Sequence, residues 1–124
     1  MRALTTLRDL EPRPIWDGVR ARILSGQDMD LAVVELAPGG VVAEHEHGNE
    51  QMGMVIEGSV TFRVGDEEQL LNAGGMWRIP PHVPHEVRAG RDGAVVLDIF
   101  APPRLDWAGI VPERPQAPRW PPER

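Results

Sequence analysis

The stretch from Gly39 to Gly58, "GGVVAEHEHGNEQMGMVIEG", decides how the rest of the chain is read. It sets two of the four histidines, His45 and His47, at alternate positions, then a Gly48-Asn49 break, then an apolar run that begins at Gln51. On a strand, residues i and i+2 point to the same face. A strand over 41–47 therefore projects both imidazoles together and turns Glu44 and Glu46 the other way. Two neighbouring imidazoles inside a small barrel are costly to bury unless something satisfies them. A divalent metal does so, and neutral imidazole is a common ligand. A hydrated turn with incidental histidines is the other reading, because an H-x-H pair alone is a modest signal.

Outward from this stretch, short apolar or alternating runs recur: "VRARIL", "DLAVVEL", "MGMVIE", "SVTFRV", "EEQLL", "MWRIP", "HEVRA" and "AVVLDIF". Turn residues such as Pro38-Gly39-Gly40, Gly58, Gly65-Asp66 and Gly74-Gly75 separate them. Long stretches with apolar residues at helical spacing are missing, so the pattern predicts an all-β sandwich or barrel. Residues 1–17, with Pro12, Pro14 and Trp16, read as an extended N-terminal arm, residues 18–101 as the barrel, and residues 102–124 as a Pro-rich tail. Seven of the 23 tail residues are proline, which predicts an irregular segment with little helix.

The whole chain narrows the chemistry. At 124 residues it is one domain with room for a real core. A net charge of −6 argues against nucleic acid, since no basic stripe exists to neutralise phosphates. Residues 1–14 hold no apolar signal-like region and no later run approaches a membrane span, so we expect a cytoplasmic protein with no membrane partner. All 13 basic residues are arginine, and cysteine and tyrosine are absent. Schiff-base, thiolate and phenolic chemistry are thereby removed. The two serines, Ser25 and Ser59, lie outside any nucleophile elbow. His, Asp, Glu and Arg chemistry remains, with or without a metal.

The Gly39–Gly58 segment resembles the first cupin motif, G-x5-H-x-H-x(3,4)-E-x6-G, through Gly39, His45, His47 and Gly58, with Gln51 where that family usually has glutamate. Gly74, Pro80 and His85 match the second motif, whose internal glycine and final asparagine are here His82 and Ala89. Both motifs in register, 15 residues apart, identify a small single-domain cupin of the cupin 2 type. The resemblance implies a double-stranded β-helix, a jelly-roll barrel. It also implies His45, His47, Gln51 and His85 as ligands of a divalent transition metal: Ni, Mn, Fe, Zn, Co or Cu. A glutamine ligand contributes a neutral carbonyl oxygen, so the ion keeps its full charge and favours an anionic or carbonyl-bearing substrate. A degenerate cupin that has lost its ion is the competing reading.

The run "VLDIFAPPRLDW" adds a second group of candidates. Alternation sets Val96, Asp98 and Phe100 on one strand face and Val95, Leu97 and Ile99 on the other. A carboxylate in an apolar strand must be paired or used, and Arg104 has a fork suited to a substrate carboxylate. A buried Asp98–Arg104 ion pair that ties down the tail fits the same residues. Together with "EHEHGNEQMGMVIEGSVTF" and "RIPPHVPHEV", this run resembles the small cupins of pectin and alginate breakdown of the KdgF type. That likeness implies opening of a 4,5-unsaturated uronate to its linear keto form, a non-redox isomerisation with Asp98, Phe100 and Arg104 in catalytic roles. The alternatives are an iron or copper dioxygenase of the quercetinase sort, a polyketide cyclase, and a non-catalytic cupin that binds a small ligand.

Other side chains have plainer expectations. His82 is expected at the surface, Met52, Met54, Ile56 and Met76 in packing, and Arg63 at a solvated surface. Trp77 and Arg78 face opposite ways, so one of them lines the pocket. Trp16, Trp107 and Trp120, on arm and tail, are expected to seal a homodimer contact.

Overall fold

The computed structural model describes residues 2–123. Eight strands carry almost all of the regular structure: β1 Arg13–Trp16, β2 Val19–Ser25, β3 Asp30–Leu36, β4 Val41–His45, β5 Glu50–Val64, β6 Glu67–Asn72, β7 Met76–Ile79 and β8 His85–Ala101. A 3-10 turn at Leu7–Asp9 and one short helix, α1 Leu105–Ala108, complete it. All pairings are antiparallel, in the order β1-β2-β3-β8-β5-β6, with β4 added on β8 and β7 on β5. The last strand of the arm, β1, is thus part of the sheet. Among the described residues no helix is long and apolar enough to cross a membrane.

The two longest strands close the jelly-roll barrel. The first half of β5 pairs with β7 and the second half with β6, while β8 pairs first with β4 and later with β3. Each therefore serves both layers, and the register of their mutual pairing slips between Val55 and Glu57 and again between Gly58 and Val60. Bulges of this kind bend a strand and raise its twist. Gly58 is required there. Its φ is +79°, and a Cβ would lie 2.2 Å from the Gly93 carbonyl oxygen. The closing glycine of the first motif thus permits the bend by which β5 changes layers.

Alternation along the strands fills the barrel. In β3, Ala32, Val34 and Leu36 are buried while Leu31 is exposed and Val33 half-buried. Val19, Val55, Val60, Phe62 and Ile79 join them in one continuous core. Two of the packing expectations fail: Met52 is 49% exposed and Met76 68%. Both lie on the outer face of their strands, where an apolar side chain at the right period meets solvent. Met54 and Ile56 are half-buried.

Candidate metal centre

His45 and His85 are directly opposed residues on β4 and β8, and their rings lie 4.3 Å apart between centroids. His47 falls beyond the end of β4 rather than on it, as a strand over 41–47 would have had it. Its main chain is held by the turn before β8: the His82 amide donates to the His47 carbonyl at 2.8 Å. The ring still converges, 4.9 Å from His85 and 5.5 Å from His45. One ring nitrogen from each of the three lies within 4.8 Å of the others.

The hydrogen bonds of the outer nitrogens orient the inner ones. His45 Nδ1 meets the Ala43 carbonyl at 2.9 Å, His47 Nδ1 that of Asn49 at 3.0 Å, and His85 Nδ1 that of Val83 at 2.9 Å. A carbonyl only accepts, so each Nδ1 carries the hydrogen and each Nε2 offers a lone pair. The Nε2 of His85 is buried with no partner. His47 Nε2 stands 3.1 Å from Gln51 Oε1, lone pair against lone pair. That orientation of Gln51 is enforced from behind, because its Nε2 donates to Asp98 Oδ1 at 2.9 Å. Acceptors facing one another are satisfied by a cation or a hydrogen donor between them. A proton is disfavoured, since burial, above all, lowers the pKa of His47, and that of His85 to about 4. The donor set therefore fits a divalent metal of the borderline kind.

Two adjacent inward rows of the sheet form the wall behind these residues. One aligns Asp30, Phe100 and Gln51, the other Ala32, Asp98, Gly53 and Trp77. Asp98 spans the gap over Gly53 and accepts from Trp77 Nε1 at 2.9 Å. A Cβ on Gly53 would lie 2.4 Å from that nitrogen and 2.5 Å from the Asp98 oxygen. Trp77, not Arg78, is thus the inward residue. Burial pushes the Asp98 carboxyl up to about 6, against the pull of Gln51, Trp77 and Arg104. Both donors fall on Oδ1, which leaves Oδ2 as the oxygen to carry a proton.

Arg104 is buried close by but is not the partner of Asp98. Its Nε and Nη2 donate to Asp106 Oδ1 and Oδ2 at 3.0 and 2.8 Å, so the alternative reading, a buried Asp98–Arg104 ion pair, is not what the structure shows. The guanidinium is stacked 4.1 Å from the Trp107 ring and 4.9 Å from Phe100. Its main-chain amide donates to buried Asp30 at 2.7 Å. Trp107 is itself buried, edge-on to Phe100, and so belongs to this wall rather than to a subunit contact. Trp16 stands at the rim, 42% exposed and 5.6 Å from the His45 ring. His82 is exposed, and Arg63 pairs at the surface with Glu44.

A cavity of about 50 Å³ joins these groups, lined by His45, Gln51, His85, Asp98, Phe100 and Arg104 among others. Sequence reasoning missed Gly53, Asp30 and Asp106. Asp106 alone had a local signal, two residues after Arg104; Asp30 and Gly53 reach the site only through strand register.

Comparison with known proteins agrees with this arrangement. Residues 32–100 match the family model described as "Cupin domain". The pectin degradation protein KdgF of Dickeya dadantii (strain 3937) is 27% identical over 93 residues, 73% of this chain and 84% of that protein. H2HPP isomerase of Bacillus subtilis is 32% identical over 87 residues, but they span 37% of its length. Among solved structures, KdgF from Halomonas sp. superposes with a TM-score of 0.78 at 23% identity, covering 86% of this chain and 98% of that one. An RmlC-like cupin from Shewanella frigidimarina NCIMB 400 gives 0.79 at 24% identity, with 86% and 96% covered.

Proposed function

The chain belongs to the cupin family, and from that premise we propose that it is a divalent-metal-dependent, non-redox enzyme that opens or isomerises a small carboxylated sugar acid. The observation that carries this reading is the convergence of four acceptor atoms, the Nε2 atoms of His45, His47 and His85 and Oε1 of Gln51, with Gln51 locked by Asp98. Those four residues would hold the ion, which when bound supplies Lewis-acid polarisation of a substrate oxygen. Similarity to two proteins named KdgF points to a 4,5-unsaturated uronate as substrate.

The chain's own residues have distinct tasks in such a reaction. Arg104, packed against both Trp107 and Phe100, anchors the substrate carboxylate by giving up part of its exposed partner Asp106. Asp98, raised to about 6, holds a proton on Oδ2 or releases it near neutrality as the ring opens. Phe100 fixes the guanidinium and keeps water from the wall. A volume of about 50 Å³ has room for an ion and a water or so. Only the reacting end of a sugar acid therefore enters until the rim, with Trp16, gives way.

The test is conversion of an unsaturated uronate monomer, followed by NMR as the enol signal disappears and the linear keto form grows. The metal-loaded protein should accelerate it. Asp98→Asn should lose about 100-fold or more with its metal retained. No acceleration with any of several divalent ions, or oxygen uptake accompanying turnover, would sink the reading in favour of a binding cupin or a dioxygenase.

A further inference from the structure

Past the end of β8 the chain reaches Arg104 through a segment that cannot hold itself. The β8 ladder to β5 ends at Ala101, opposite Glu50. Pro102 and Pro103 follow, and they have no N–H to give to a neighbouring strand. Helix α1 has four residues, too few to be stable alone, and Arg104 precedes it in extended backbone at φ −79° and ψ 92°. Between Ala101 and the helix the main chain offers the carbonyls of Pro102 and Pro103 and the amide of Arg104. Side chains from two other parts of the fold take all three. Asn49 Nδ2 donates to the Pro102 carbonyl at 2.5 Å and to that of Pro103 at 3.3 Å. Asp30 Oδ2 accepts from the Arg104 amide at 2.7 Å.

We infer that Asp30 and Asn49 form a clamp that positions Arg104, an inference that rests on the reading of Arg104 as the anchor for a substrate carboxylate. The peptide unit between Pro103 and Arg104 is planar and rigid. Its oxygen is held by Asn49 and its N–H by Asp30, which fixes the point from which the Arg104 side chain enters the cavity wall. The side chain's own contacts cannot do this once substrate arrives. Asp106, the partner of the guanidinium, is 64% exposed, and an ion pair with so exposed a member contributes little. It is also the contact that an incoming carboxylate displaces. The rings of Phe100 and Trp107 remain, and they limit tilt but leave the guanidinium free to slide.

Both clamp residues are tied to the site. Asp30 is buried directly opposite Phe100 on β8, and its Oδ1 has no partner among the described residues. An orphaned carboxylate oxygen costs stability, so packing of the wall does not account for this aspartate, whereas the amide on Oδ2 does. A carboxylate grips an N–H roughly twice as strongly as a neutral acceptor. Asn49 gives its own carbonyl to His47 Nδ1 at 3.0 Å, so one residue sets both a histidine of the cluster and the Arg104 segment. Its side-chain orientation is fixed, because both of its bonds end on carbonyls, which only accept.

The experiment measures binding of galacturonate, a saturated uronate, to the zinc-loaded full chain by calorimetry. Asp30→Ala and Asn49→Ala should each bind about tenfold more weakly than the wild type, with zinc affinity within about threefold. In an Arg104→Ala background neither substitution should weaken binding further, because clamp and guanidinium act as one unit. Additive losses, or folded clamp variants that bind as the wild type does, overturn the inference. Amide hydrogen exchange gives a readout that needs no ligand. Asn49 does not touch the Arg104 amide, yet Asn49→Ala should speed its exchange about tenfold and leave the Val96 amide of β8 unchanged. An unchanged Arg104 amide overturns the clamp. If Asp30→Ala does not fold, Asn49→Ala carries both readouts. If the wild type binds no galacturonate, or Arg104→Ala binds it equally well, the anchor reading falls, and exchange at Arg104 alone decides whether the clamp exists.

Discussion

Gln51 holds the centre together because its two ends have opposite demands. The amide nitrogen needs the Asp98 acceptor, so the carbonyl oxygen is directed at His47. Removing a ring should show at once in metal content. Binding at a hundredfold excess over the dissociation constant stabilises a protein by about 2.7 kcal/mol. Nickel or zinc should raise the melting temperature of the wild type by that equivalent and leave His47→Ala unmoved. An equal rise in both would remove His47 from the site. Gly53 is as exacting for a steric reason. Gly53→Ala drives a methyl into the Trp77–Asp98 hydrogen bond and the Leu97 carbonyl. We expect a loss of about 3 kcal/mol in urea unfolding, whereas a cost below about 0.5 kcal/mol would mean that the wall yields freely.

At the scale of elements, the turn before β8 carries a local strain at the residue whose amide positions the site. His82 sits at φ 63°, left-handed backbone in which a side chain is disfavoured, at the position where the second motif has glycine. Its amide nevertheless anchors His47. His82→Gly keeps that amide and removes the side chain, so it should stabilise the chain by about 1 kcal/mol with metal content unchanged. A destabilised variant would show that the exposed ring contributes more than its backbone costs. Strand β8 illustrates how one element combines several tasks. His85 at its start faces the histidine cluster, Asp98 and Phe100 near its end face the wall, and Ile99 between them faces outward.

For the molecule as a whole, two of the shifts that bear on acid stability oppose each other. His85 drops to about 4 from 6.5, so an unfolded chain takes up that proton first, and stability is lost as pH falls from about 6.5 toward 4. Asp98 rises to about 6 from 3.8, so the folded chain takes up its proton first, and stability is gained as pH falls from about 6 toward 3.8. In the metal-free protein the two partly cancel. Asp98→Asn should expose the histidine loss, with a urea midpoint that falls more steeply than wild type between pH 6 and 4. His85→Gln should show the reverse slope. Parallel curves for the three proteins would mean that neither group titrates as its burial requires.

The fold and the candidate histidines were legible in the chain because both depend on short-range spacing. Alternating runs and glycine turns specify strands, and the two histidine motifs place His45, His47, Gln51 and His85 before any coordinates are known. Period 2 also identified the inward face of Val96, Asp98 and Phe100 correctly. The same alternation misled at Met52 and Met76, since it tells which residues share a face but not whether anything covers that face. Partner choice was the other loss. Asp98 pairs with Gln51 and Trp77, and Arg104 with Asp106, because the register of β8 against β5 and β7, and the path of the chain after Ala101, set distances that spacing along the sequence does not contain. The sequence alone determined a small all-β cupin with a histidine-rich centre. Only the tertiary structure decided which charges meet, which glycine must stay bare, and which apolar side chains are left open, because those depend on residues brought together across strands.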